Sequence, residues 1–387
     1  MAVLVALLLV LAGLPQPDGA GASEAGFSGK AKYAVLMDAE TGAVLYQNAA
    51  DELSPPASMS KLMTLAVVFR ALKEGKLKLE DEFLMSENAW RTGGAPSGTS
   101  AMFVPVNAKA TLDELLQGIA VQSGNDACIS IAEGMAGSES AFAEMMMAEA
   151  RRIGLKKSTF RNATGLHHPE HLMTVRELAQ LARFLISEYP DRYPVFAQRE
   201  FRYRKHRFFN RNPLLSLDIG ADGLKTGYIK EAGYGIVASA IQDGRRLIAV
   251  VNGLETADAR RDEASKLLQW GFRNFAEVKL FESEEVVGRA RVWGGDRFYV
   301  PLTGNGTLNV VLPRFPANQK LKAEIIYNGP LKAPIKKGDQ VATLRVTSST
   351  SAMNEVPLYA AEDVAAGGIV RRGLDSLVHM AFRWVAL

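Results

Sequence analysis

The sequence predicts an α+β fold. Three observations lead there. Apolar β-type runs stand at both ends of the first two-thirds of the chain, amphipathic helical segments lie between them, and a stretch of short alternating strands follows. At 387 residues the chain is long enough for two or three domains. Apolar residues make up 48% and charged residues 22%, the balance of a globular protein. A formal net charge of +3, spread along the chain, gives no reason to expect a nucleic-acid partner. Cys128 is the one cysteine, so no intrachain disulfide is possible.

The elements follow in order. Ala2 to Leu14 is an apolar run of 13 residues, too short to span a bilayer as a helix. Pro15 and Pro17 follow, then Ala20 and Ala22 at the small-residue spacing a signal peptidase requires. Residues 1–22 therefore read as a cleaved secretory signal, with only the α-amino group supplying positive charge ahead of it. "YAVLMDAETGAVLYQNA", from Tyr33, is a strand, a turn and a second strand. A helix starts at Ser58. "LDELLQGIAVQSGNDACISIAEGMAG", "AFAEMMMAEARRIGL" and "TVRELAQLARFLISEY" continue the helical region, with glycines at several stops. "YGIVASAIQDGRRLIAVVNG" is a hairpin of buried strands about Asp243-Gly244, and "RDEASKLLQWGFRNF" is a closing helix. These make one domain over residues 29–278, a sheet packed on a helical cluster.

From Lys279 the pattern changes. Leu321, Ala323 and Ile325 alternate with Lys322 and Glu324, which is a half-buried strand. Residues 279–366 are expected to form a small all-β domain. Residues 367–387 are expected to form an amphipathic helix. On it Arg372, Asp375, Ser376, His379 and Arg383 share an arc of roughly 100°, and Leu374, Leu377, Met380, Phe382 and Trp384 fill much of the rest. Residues 371–387 are read as lying in a membrane surface, the alternatives being a docked helix or a dimer contact.

Three short motifs carry chemistry. Ser58 is followed one turn later by Lys61, at the head of the apolar run Leu62, Met63, Leu65, Val67, Val68 and Phe69. Residues i and i+3 share a helix face. A desolvated lysine loses its proton more readily, so Lys61 can serve Ser58 as base. Ser123-Gly124-Asn125 opens an alanine-rich helix, where a second serine can relay a proton and Asn125 can hold a substrate amide carbonyl. Ser86-Glu87-Asn88 fits the same triplet but reads as a helix cap. Lys225-Thr226-Gly227 enters a strand. It supplies a cation, a hydroxyl and a glycine that lets a substrate backbone lie close. His167 and His171 stand four apart, but Pro169 lies between them, so no metal is expected and His171 is read as packing or capping.

Order and spacing of these motifs, with the flanks "SPPASMSKLMT", "VQSGNDAC", "TGLHHPEHLMTVRELA", "NRNPLL" and "DGLKTGYIKEAGYGIVASA", resemble the low-molecular-weight penicillin-binding proteins of peptidase family S11. These act as serine-type D-alanyl-D-alanine carboxypeptidases. The resemblance implies a β-lactamase/transpeptidase-like catalytic domain, followed by the all-β domain and a C-terminal amphipathic anchor. It implies no cofactor. It implies that the enzyme removes the terminal D-alanine of a peptidoglycan stem peptide ending in D-Ala-D-Ala, and that β-lactam antibiotics acylate it. Ser58 would be the nucleophile, Lys61 its base and Ser123 the proton relay. The backbone N–H groups of Ser58 and Tyr228 would hold the oxyanion. Asn125, Lys225, Thr226, Gly227, Tyr228 and Arg211 would bind substrate, and "TGGAPSGTSAMF", from Thr92, would be a loop beside the site. The protein would be secreted to the periplasm and attached peripherally to the inner membrane. A class A β-lactamase would need a deacylating glutamate among Glu170, Glu177 and Glu188, none of which has the expected asparagine shortly after it. A DD-endopeptidase cutting crosslinks shares all three motifs. A non-catalytic cell-wall scaffold would have no reason to keep them.

Overall fold

The computed structural model describes residues 2–9, 26–314, 321–348 and 353–368. Two compact units divide the chain, Gly26–Arg273 and a second made of Met1–Ala25 with Asn274–Leu387.

In the first unit an antiparallel sheet runs in the order Val44–Asn48, Tyr33–Asp38, Arg245–Leu254, Gly233–Gln242, Ala221–Ile229. The central strands are apolar throughout because both their faces are covered. Val35, Met37, Ile248 and Val250 join the core shared with the helical cluster. Ala34, Leu36, Leu247, Ala249 and Val251 point the other way, towards Ala264, Leu267 and Leu268 of the closing helix Ala257–Asn274. The tight turn between the last two long strands sits at Asp243 and Gly244, with φ of 51° and 79°, as a two-residue hairpin loop requires.

The helix Lys61–Lys73 is the spine of the cluster. Ten of its residues, Lys61 among them, are buried. It is flanked by Glu139–Ile153 and Val175–Glu188. Ser86 caps Glu87–Gly93 by accepting from the N–H of Ala89, as read from the sequence. The helical stretch around "QSGN" is not continuous. Leu112–Gln117 passes into a π-turn over Gly118–Gln122, Ser123 breaks the run at φ 65°, and a new helix begins at Asn125. A hairpin, Glu200–Tyr203 with His206–Phe209, packs on that π-turn.

The second unit holds a sheet in the order Ala2–Leu9, Leu321–Asn328, Gln340–Ser348, Met353–Ala360, Tyr299–Thr303, Gly288–Trp293, Leu331–Lys332. Ala290, Val292, Val300, Leu302, Ile325 and Leu344 form its core. Phe275–Phe281 pairs with Leu308–Pro313, so this strand belongs here and the division falls at Arg273, a few residues before the boundary expected at 278. Ala2–Leu9, part of the expected signal, pairs antiparallel with Leu321–Asn328. The rest of that signal and the expected anchor helix lie outside the described residues. Among the described residues no helix is long and apolar enough to cross a membrane.

Candidate active site

Ser58 sits on a 3-10 turn, Ala57–Ser60, which leads directly into the helix Lys61–Lys73. Sequence reasoning starts the helix at Ser58, and the tighter turn is the difference. It arises because Ala57 takes φ 50°, a left-handed value costly for a residue with a Cβ. The turn is held from several sides. Ser60 Oγ donates to the Ala57 carbonyl at 3.0 Å. Asn252 Nδ2 donates to Ser54 Oγ and to the Pro55 carbonyl, both at 3.3 Å, tying the approach to the central sheet. Two glycines let neighbouring backbone reach the turn. A Cβ on Gly227 would lie 2.9 Å from the Pro56 oxygen, and one on Gly165 would lie 2.0 Å from the Ala57 oxygen. Gly227 thus makes room for the serine turn.

Lys61 Nζ lies 2.8 Å from Ser58 Oγ. Nζ also donates to the carbonyl of Thr164 in a short hydrogen bond. The lysine is fully buried, and that burial pulls its pKa from 10.5 to about 8. Cys128, Glu139 and Asp126 act against this shift, while Arg211 adds to it. When Nζ is neutral it can donate to Thr164 and accept the Ser58 proton on its lone pair.

The Thr164 carbonyl is aimed by a side-chain turn. Asn162 Oδ1 accepts from the N–H of Thr164 at 3.2 Å, from Thr164 Oγ1 at 3.1 Å and from the N–H of Gly165 at 2.7 Å. Thr64 Oγ1 donates to the Ala163 carbonyl at 2.7 Å, pinning this turn to the Lys61 helix. The sequence signal for it is the turn-forming run Asn162-Ala163-Thr164-Gly165. A backbone acceptor has no residue identity, so the contact itself was not foreseeable.

Ser123 Oγ is buried and has no hydrogen-bond partner among the described residues. Its left-handed backbone turns the hydroxyl out of the helical register. Asn125 Nδ2 donates to Thr99 Oγ1 at 2.9 Å, while Oδ1 has no partner among the described residues. In this orientation Asn125 offers a substrate an acceptor for an N–H. With the amide flipped and Thr99 donating, Nδ2 would face a substrate carbonyl, as expected from sequence. Asp126, unforeseen, is the anchor of this corner. Its carboxylate accepts the N–H groups of Met102 at 2.8 Å, Ala127 at 3.0 Å and Val104 at 3.4 Å. The Ser100 carbonyl accepts the N–H of Asn125 at 2.7 Å. These bonds fix the glycine-rich segment beside the serine triplet.

Lys225 and Thr226 are buried on the edge strand Ala221–Ile229. The Lys225 pKa is pushed well below its usual value, by burial first and then by the charges of Lys61 and Arg211. Tyr228 is half exposed, and its ring packs on Tyr234 at 4.2 Å between centroids. Arg211 Nη1 donates to Ser100 Oγ at 2.7 Å, bringing the arginine to the glycine-rich segment. Arg260 was missed by sequence reasoning. Its guanidinium stands 5.7 Å from the Tyr234 ring centre and its charge is felt at Lys225, yet its Nε has no partner among the described residues. Its distance along the chain from every motif hid it.

The glutamates weighed for a β-lactamase are committed elsewhere. Glu177 accepts from the N–H groups of Lys156, Lys157 and Ser158 and from Ser158 Oγ. Glu170 pairs with Arg161 and Glu188 with Lys73. His171 is buried against Phe160, and burial lowers its pKa to about 4. No metal-binding cluster occurs among the described residues.

Comparison with known proteins accords with this geometry. Residues 20–256 match the family model described as D-alanyl-D-alanine carboxypeptidase. Residues 275–366 match that of the penicillin-binding protein 5 C-terminal domain. The chain is 39% identical over 353 residues to D-alanyl-D-alanine carboxypeptidase DacC of Escherichia coli, covering 90% of this chain and 88% of the relative. It is 34% identical over 358 residues to DacF of Bacillus subtilis, covering 91% and 90%. The solved structure of penicillin-binding protein 5 from Haemophilus influenzae superposes with a TM-score of 0.78 at 33% identity, covering 89% of this chain and 100% of that one. With its α+β catalytic domain, its all-β partner domain and its serine–lysine pair, the chain belongs to the serine-type D-alanyl-D-alanine carboxypeptidase family of penicillin-binding proteins.

Proposed function

We propose that this carboxypeptidase works through an acyl-enzyme on Ser58. The observation that carries the reading is the 2.8 Å contact between Ser58 Oγ and a fully buried Lys61. Neutral Lys61 takes the Ser58 proton as Oγ attacks the carbonyl between the two D-alanines. The N–H groups of Ser58 and Tyr228 receive the oxyanion, each such donor being worth about 3 kcal/mol. The C–N bond breaks as the proton held on Lys61 passes by way of Ser123 to the departing D-alanine amine. Water then attacks the acyl group, gives a proton back to Lys61 and leaves Ser58 Oγ to be reprotonated from it. Lys225, Thr226 and Arg211 face the terminal carboxylate. Burial first, and then the charges of Lys61 and Arg211, lower the Lys225 pKa, and an arriving carboxylate acts in the opposite direction and favours the charged lysine. Penicillin follows the same first step and acylates Ser58.

The N-terminal apolar run and the amphipathic C-terminal residues support secretion to the periplasm and peripheral attachment to the inner membrane. The test of substrate class is a pair of peptides ending in D-Ala-D-Ala, one a free acid and one amidated. The free acid should be cleaved with far higher kcat/KM, and Arg211→Ala should narrow the gap. Equal cleavage of both would favour an endopeptidase.

A further inference from the structure

Between Arg199 and Arg211 the chain carries six arginines and lysines and one carboxylate, Glu200. This segment is the hairpin beside the serine triplet, and its two faces differ. The inner face carries Phe201, Tyr203 and Phe208, which are buried. Phe208 stacks on Phe201 at 6.2 Å and on Phe103 of the glycine-rich segment at 6.2 Å. The same hairpin packs on Gly118–Gln122, the turn that delivers Ser123. Its base closes through the N–H of Asn210 donating to the Arg199 carbonyl, and the next residue is Arg211 of the site wall.

The outer face is cationic. Arg202 stands directly opposite Arg207 across the two strands, an arrangement that destabilises an isolated hairpin. Glu200 compensates only in part. It accepts from Arg207 Nε at 2.9 Å, but lies 3.9 Å from Arg202. Arg204 and Lys205 are exposed at the tip, and Phe209 is 61% exposed beneath the Arg207 guanidinium.

We propose that Arg202 and Arg207 form a subsite for carboxylates on the acyl-donor peptide, several residues ahead of the scissile bond. This rests on the carboxypeptidase reading. Charge selects an anion, and two guanidinium groups held side by side by strand register suit carboxylates, each of which can accept a fork of N–H bonds. Continuity with the site, through the pairing of Arg199 and Asn210 at the hairpin's base and the adjoining Arg211, selects the peptide rather than a lipid surface. Reach agrees, since Arg211 follows Arg207 by four positions, about 13 Å at most, and an extended five-residue peptide spans about 17 Å.

The test uses two peptides ending in D-Ala-D-Ala. One carries two free carboxylates within the four residues before the cleaved bond, and the other has them amidated. Both are assayed with the full chain and with R202Q/R207Q, a change on the outer face that relieves repulsion and leaves the inner aromatic packing intact. Equal penicillin labelling of the two proteins checks folding. The acidic peptide should have an advantage of about tenfold in kcat/KM, falling as salt rises and lost in the double variant. Peptide binding by fluorescence anisotropy should follow the same order. An undiminished advantage in the double variant overturns the subsite. So does loss of binding to phosphatidylglycerol vesicles alone, which would make the hairpin a lipid contact. If neither peptide is hydrolysed by the unaltered protein, the carboxypeptidase reading fails, and the anisotropy comparison still decides the hairpin.

Discussion

The buried Nζ of Lys61 donates to the backbone carbonyl of Thr164, a residue 103 positions away in sequence. That bond, with the contact to Ser58, fixes the lysine at both ends of its reach. Since Asn162 aims the carbonyl through three hydrogen bonds, Asn162→Ala should disturb Lys61 without touching substrate. Penicillin acylation should slow by about tenfold with the binding step nearly unchanged. A matching loss in both would make Asn162 merely structural.

The base must be neutral to act, so acylation should rise with pH and level off above about 8. The sign follows from the direction of the shift, because burial lowers the lysine pKa and brings its neutral form into reach. At pH 7 roughly a tenth of the enzyme would carry neutral Lys61. Rates of β-lactam acylation between pH 6 and 9 measure this directly. A flat profile would place the base elsewhere. Lys61→Arg keeps a cation that stays protonated, and labelling of the folded variant should drop by orders of magnitude.

The Gly165 backbone has φ 73°, and a Cβ there would strike the Ala57 carbonyl. Gly165→Ala should cost about 2 kcal/mol or more from strain and clash together. Thermal unfolding measures it. Gly244→Ala, also at positive φ but with open space around it, should cost about 1 kcal/mol, from backbone strain alone. Equal losses would show that the Gly165 contact yields at no cost.

Much of this site was legible before the fold was known. Ser58, Lys61, Ser123 and Lys225 stand out in the sequence because the roles proposed for them, a nucleophile, a base, a relay and a cation, require particular side chains at short spacings. The alternation of Leu321, Ala323 and Ile325 likewise gave away the all-β unit. What stayed hidden is carried by backbone or by distance along the chain. Thr164 contributes a carbonyl, which any residue has. Ser123-Gly124-Asn125 marks a helix start, but the π-turn before it and the left-handed backbone of Ser123 are not legible in "LLQGIAVQSGND". The packing of Gly227 against Pro56, Ala57 and Met59 joins positions far apart in sequence, so it could not be read there. In the hairpin, Phe201 and Tyr203 alternate with Arg202 and Arg204, but the density of charge there obscures a strand pattern.

Deleting Arg371–Leu387 removes the expected anchor and no catalytic group. The truncated protein should move from the membrane pellet to the soluble periplasmic fraction with peptidase activity intact. Retention in the pellet would assign membrane attachment to another part of the chain.

The most direct test of the mechanism is release of D-alanine from a peptide ending in D-Ala-D-Ala, read beside penicillin labelling of the same proteins. The unaltered enzyme should release one D-alanine per peptide, and mass spectrometry should place the penicilloyl group on Ser58. Ser58→Ala, folded to the same melting temperature, should lose both. D-alanine release by that variant at the unaltered rate would contradict the account.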